Sequence, residues 1–81
     1  MAKKRIKVTE RKLGRSGALG LYYSDGRMEI DPRQNPKEYF STILHELLHA
    51  SFPDLSEEVV LKAEEIFIKT LWQQGYRKVS Q

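Results

Sequence analysis

Apolar and polar positions alternate at three places in the first third of the chain. Ile6 and Val8 are separated by charged neighbours, the period-two pattern of a short strand with one wet face. Leu19, Leu21 and Tyr23 alternate in the same way, Asp25-Gly26 follows, and Met28 and Ile30 alternate again. Asp-Gly between two alternating runs predicts a hairpin, because a tight type I′ turn needs positive φ at both central residues. A two-residue turn pairs Ser24 with Arg27, Tyr23 with Met28 and Leu21 with Ile30, so that the apolar residues share one face while Tyr22 and Glu29 point the other way. Leu13 to Ala18, with Gly14, Ser16 and Gly17, reads as a loop.

The period then changes. Asn35, Pro36 and Glu38 form a helix start resembling a capping box, and Phe40, Ile43, Leu44, Leu47 and Leu48 recur at helical spacing to about Ser51. Phe52-Pro53-Asp54 breaks this helix. Ser56 caps a second one, whose apolar stripe is Val60, Ala63, Phe67 and Leu71, with Gly75 as its stop. Glu58, Lys62, Glu65 and Lys69 form its solvated face, with favourable pairs four residues apart. The expected fold is α+β: a small three-stranded antiparallel sheet, with its β-hairpin at Asp25-Gly26, packed on a helical hairpin. Residues 1–81 read as one domain, with residues 1–5 and 77–81 as loose ends.

The chain has 81 residues and no cysteine. A domain this short buries only about 60% of the surface its unfolded chain exposes, so a metal or a partner would help to hold it. Without thiolates, any metal site must use His, Asp or Glu. No apolar run approaches the ~18 residues of a membrane span. The basic start has no apolar segment behind it, so a cytoplasmic protein that does not contact membrane is expected. Charge is uneven: residues 1–15 carry seven basic side chains against one acidic, whereas the remainder carries seven basic against ten acidic. Lys3, Lys4, Arg5, Lys7, Arg11 and Lys12 therefore form a basic arm that could contact nucleic acid.

The first helix contains His45-Glu46-Leu47-Leu48-His49, with the chain's two histidines four residues apart. Four residues turn a helix by about 400°, so both imidazoles leave one face, one turn apart, and can reach one zinc ion (Zn2+) at ~2.0–2.1 Å. Glu46 lies about 100° further round, poorly placed as a ligand but able to take a proton from a water at that ion. A catalytic zinc site takes three protein ligands, so the third must be a carboxylate: Asp54, Glu57, Glu58, Glu64 or Glu65. Glu57 and Glu64 lie within about 60° of Val60 on the helical wheel, whereas Glu58 and Glu65 lie about 140–160° away. In an antiparallel helical hairpin, the start of the second helix faces His49, which favours Glu57. Glu64 is the alternative, and Glu58 becomes one if the helix boundary moves by a residue.

Thr42 to Ala50 resembles the H-E-x-x-H helix of the zincin metallopeptidases, with uncharged residues around the core motif. Ser51, where an apolar residue is more usual, is a mild departure. Phe52 and Leu55 stand where a metzincin has Gly and His, so the resemblance is gluzincin-like. The stretch Leu21 to Arg77 also resembles very small phage and bacterial zincin-like proteins in its hairpin, H-E-L-L-H helix, Phe-Pro-Asp-Leu turn and acidic start of the second helix. The resemblance implies a minimal zincin-like domain, with His45 and His49 as zinc ligands and Glu46 as general base. It also implies a peptide or protein substrate lying along the strand nearest the helix. The expected function is a zinc-dependent hydrolase, most simply a metallopeptidase. The alternative is a non-catalytic, zinc-stabilised module that contacts a protein or nucleic acid through its basic arm; a zinc nuclease is a related variant.

Overall fold

The computed structural model describes residues 5–14 and 17–79. In chain order the elements are β1 (Lys7–Glu10), β2 (Gly20–Tyr22), β3 (Arg27–Ile30), α1 (Pro36–Ser51) and α2 (Glu57–Gln73). The three strands form one sheet in the order β1-β3-β2, and the fold is α+β. Helix α1 is the middle layer, with the sheet on one side and α2 on the other.

The sheet is mixed rather than wholly antiparallel. β2 and β3 form the expected antiparallel hairpin, but β1 runs parallel to β3, with Val8 opposite Met28 and Glu10 opposite Ile30. Burial sets the strand order, and the connection from β1 to β2, which leaves and returns at the Ile30 end of β3, sets the direction of β1. β3 carries Met28 and Ile30, both 0% exposed, and takes the centre, leaving β1 and β2 as edges. The segment between β1 and β2 then passes the end of β3. It is pinned there by Asp31, whose carboxylate accepts hydrogen bonds from the Leu13 amide (2.9 Å), the Arg33 amide (3.0 Å) and the Arg33 guanidinium (2.7 Å). Asp31 is only 3% exposed, and these donors, Arg33 foremost, hold its carboxyl well below the usual carboxylate range.

The hairpin register also differs from the expected one. Tyr23 N–H bonds to Arg27 at 2.8 Å and Gly26 N–H to the Tyr23 carbonyl at 3.0 Å. The loop is therefore Ser24-Asp25-Gly26, three residues long, with Gly26 at φ 97°. This is a turn followed by a glycine bulge, not a two-residue type I′ turn. The extra residue slips the pairing by one: Gly20 faces Ile30, Leu21 faces Glu29 and Tyr22 faces Met28. A one-residue slip exchanges the faces of a strand. Leu21 consequently lies on the outer side with Glu29, while Tyr22 packs against the core of Met28, Ile30 and Tyr39. Gly20 benefits most from this choice. A Cβ there would lie 2.7 Å from Thr42 Cγ2 and 3.2 Å from Glu46 Cγ. Only a glycine lets β2 approach α1 so closely at the level of the H-E-x-x-H motif.

Both helices begin as their sequences predict. The Asn35 side chain accepts from Glu38 N–H at 2.9 Å, and the Glu38 side chain accepts from Asn35 N–H at 3.2 Å, a complete capping box with Pro36 in the first turn. The Ser56 hydroxyl accepts from Val59 N–H at 3.2 Å. Helix α2 packs on α1 through Val60 and through Trp72, whose ring centroid lies 6.1 Å from that of Phe40. Phe67, expected on the inward stripe, is 43% exposed, whereas Glu64, expected near that stripe, is turned inward. Glu64 finds polar partners on α1 and so can occupy the covered side. Arg77 and Lys78 are tied rather than loose: Arg77 stacks on Trp72, and Lys78 reaches Glu10 at 3.1 Å. The remaining expectations for the ends, at residues 1–4 and 80–81, lie outside the described residues. Among the described residues, no helix is long and apolar enough to cross a membrane.

Candidate metal centre

His45, Glu46 and His49 lie in the C-terminal half of α1, and Glu57 opens α2. The turn through Pro53 reverses the chain, so the first turn of α2 comes to lie beside the last turns of α1. The structure brings His45, His49 and Glu57 together, with one donor atom of each within 4.8 Å of the others. His45 Nε2 is 3.0 Å from Glu57 Oε1, His49 Nε2 is 2.9 Å from Glu57 Oε2, and the two Nε2 atoms are 3.2 Å apart. Ligand atoms ~2.0–2.1 Å from a tetrahedral zinc stand roughly 3.3 Å from one another, so this spacing needs little adjustment to accept the ion. Two imidazoles and one carboxylate are also a donor set that catalytic zinc uses, leaving one position open.

The other carboxylates separate clearly. Glu64 does not join the cluster but lies behind it: His45 Nδ1–H donates to Glu64 Oε2 at 2.7 Å, and the Ser41 hydroxyl donates to the other Glu64 oxygen. With Nδ1 committed as a donor, the lone pair of His45 stays on Nε2, the nitrogen that faces Glu57 and His49. Glu58 points to solvent and pairs loosely with Lys62 at 3.6 Å. Glu65 and Asp54 are exposed and stand outside the cluster. Ser41 carried no sequence prediction, although its position four residues before His45 places it on the same helical face one turn earlier.

Glu46 is half-buried beside this cluster, against Gly20 of β2. Burial raises its pKa above the ordinary carboxylate value; the charges of His45 and His49 oppose the rise, and those of Glu57 and Glu64 add to it. A carboxylate with raised basicity next to a potential metal position is suited to accept a proton from water.

None of the family models, curated proteins and solved structures compared with this chain matches it.

Proposed function

We propose that this protein is a zinc-dependent hydrolase of the metallopeptidase type, with His45, His49 and Glu57 as the metal ligands. The convergence of these three side chains next to half-buried Glu46 is the observation that carries the reading. Bound zinc would supply Lewis acidity, polarising a substrate carbonyl and acidifying a water molecule. Glu46, half-buried beside the three ligands and raised in basicity by that burial, is the group that would accept a proton from water and hand it to a leaving amine. Glu64, held by Ser41, keeps the His45 ring in its orientation and tautomer. Gly20 lets the edge strand β2 lie against the helix at Glu46, beside which an extended peptide would run. The cysteine-free sequence suits a cytoplasmic setting.

The test is Glu46→Gln on zinc-loaded protein, assayed against a denatured protein or a peptide library. Zinc content and melting temperature should be retained while hydrolysis falls by about 10²–10⁴, because an amide cannot accept the proton. Equal cleavage by both proteins would remove Glu46 from the mechanism.

A second reading, a zinc-stabilised module that binds nucleic acid, is supported by the outer face of the sheet. Lys7 and Arg27 are register partners there, and Arg27 and Arg11 are paired with Asp25 and Glu29 on the same face, leaving Lys7 as its cation without a carboxylate partner among the ion pairs of the described residues. Zinc binding without hydrolysis, together with nucleic-acid affinity that falls steeply with salt, would favour this reading.

A further inference from the structure

Among the described elements, helix α2 is covered on one side only. Of these elements it packs against α1 alone, yet its apolar positions extend beyond the side that α1 covers. Val59, Ala63, Ile66, Thr70 and Gln73 recur at spacings of four, three, four and three, the heptad rhythm of a helix-pairing seam. Val59 is 46% exposed, Ile66 63% and neighbouring Phe67 43%. The centre of this seam lies roughly 110° round the helix from the face turned to α1, and about 150° from Glu57 and Glu64.

The flank of the seam indicates the occupant. Glu58, Lys62, Glu65 and Lys69 run along one edge with alternating sign, and all four are exposed. Read in reverse, the order is opposite at every position. An antiparallel copy related by a twofold axis near Ala63 therefore brings Glu58 level with Lys69 of the second copy, and Lys62 level with its Glu65. Small Ala63 sits at the axis, where the two backbones approach most closely. In a parallel pair the charged flank of one helix would instead meet the Phe67 side of the other.

We propose that α2 forms an antiparallel homodimer through Val59, Ala63, Ile66, Phe67 and Thr70, with Glu58–Lys69 and Lys62–Glu65 pairs across the twofold axis. The interface is isologous, the commonest form of closed assembly. It leaves the His45, His49 and Glu57 cluster open, so it is independent of the proposed hydrolase.

Analytical ultracentrifugation of the full chain over a wide concentration range tests this. The expected result is a reversible monomer–dimer equilibrium. Ile66→Glu should weaken it by about tenfold or more. Leu61→Ser, which alters an exposed apolar residue about 160° round the helix from the seam, should leave it unchanged. The decisive arm is charge exchange. Residues 58 and 69 are roughly 16 Å apart along one helix and do not meet within a chain. Glu58→Lys and Lys69→Glu should each weaken the dimer, and the double variant should restore it. A monomer at every concentration, a dimer indifferent to Ile66→Glu, or a double variant no tighter than the singles would each overturn the proposal.

Discussion

Glu64 meets His45 at 2.7 Å through Nδ1, the ring nitrogen that faces away from His49 and Glu57. The carboxylate therefore sits one step outside the cluster and acts on it through the imidazole. Removing such a carboxylate typically lowers metal affinity by about 10–100-fold. Glu64→Ala should show a loss in that range when titrated against a chromophoric chelator, with one zinc still bound at saturation. Glu64→Gln, which keeps an acceptor oxygen, should recover part of it. Unchanged affinity in Glu64→Ala would show that His45 needs no support.

Zinc should also contribute to the stability of so small a domain. Binding to the native state alone adds about 2.7 kcal/mol when free zinc is 100 times its Kd, which for a domain of this size corresponds to roughly 10 °C or more in melting temperature. A chelator should lower the melting point of wild type by that order and leave Glu57→Ala little changed. Glu58→Ala should keep the wild-type response to chelator and the wild-type zinc content, since Glu58 is exposed, pairs with Lys62 and stands outside the cluster. A Glu58→Ala variant that loses zinc while Glu57→Ala retains it would refute the ligand assignment.

Gly20 is expected to be intolerant of any side chain. The Cβ of Gly20→Ala would meet Thr42 Cγ2 at 2.7 Å and Ile30 Cδ1 at 3.1 Å, so β2 or α1 must shift. Overpacking of this kind costs about 1–3 kcal/mol. Thermal denaturation should show it, and Gly20→Val should be worse. A Gly20→Ala protein as stable as wild type would show that β2 can move away from α1 at no cost.

The Asp31 pin predicts a pH dependence with a definite sign. Its carboxyl is held below the ordinary value, first by the Arg33 guanidinium and then by the Leu13 and Arg33 amides. A depressed native pKa contributes stability that is complete above the unfolded value, about 3.9, and is lost as the pH falls through the native value. Asp31→Asn should be less stable than wild type at neutral pH, and the gap should narrow as the pH drops below about 4. Urea denaturation of the two metal-free proteins across that range checks this; a gap independent of pH would assign the effect to packing alone.

The local elements were legible in the sequence because their signals are local. Asn35, Pro36 and Glu38 specify a helix start through bonds within four residues, and Ser56 does the same for α2. The spacing of His45 and His49 places both rings on one face whatever surrounds the helix. The strand positions were likewise readable from alternation, but the hairpin register was not. Asp25-Gly26 suits a two-residue turn and equally a three-residue loop with Gly26 as the bulge, and the contact that separates them is between Gly20 and Thr42, 22 positions away.

Which segments become helix or strand, and which side chains share a helical face, follow from backbone geometry and neighbouring residues and are therefore written in the sequence. The parallel placement of β1, the inward turn of Gly20 and the separate positions of Glu57 and Glu64 around His45 are set by long-range packing. Each depends on how two distant segments fit. β3 takes the centre because Met28 and Ile30 must both be buried, and α2 presents Glu64 inward because Ser41 and His45 satisfy a carboxylate that would otherwise have to reach water.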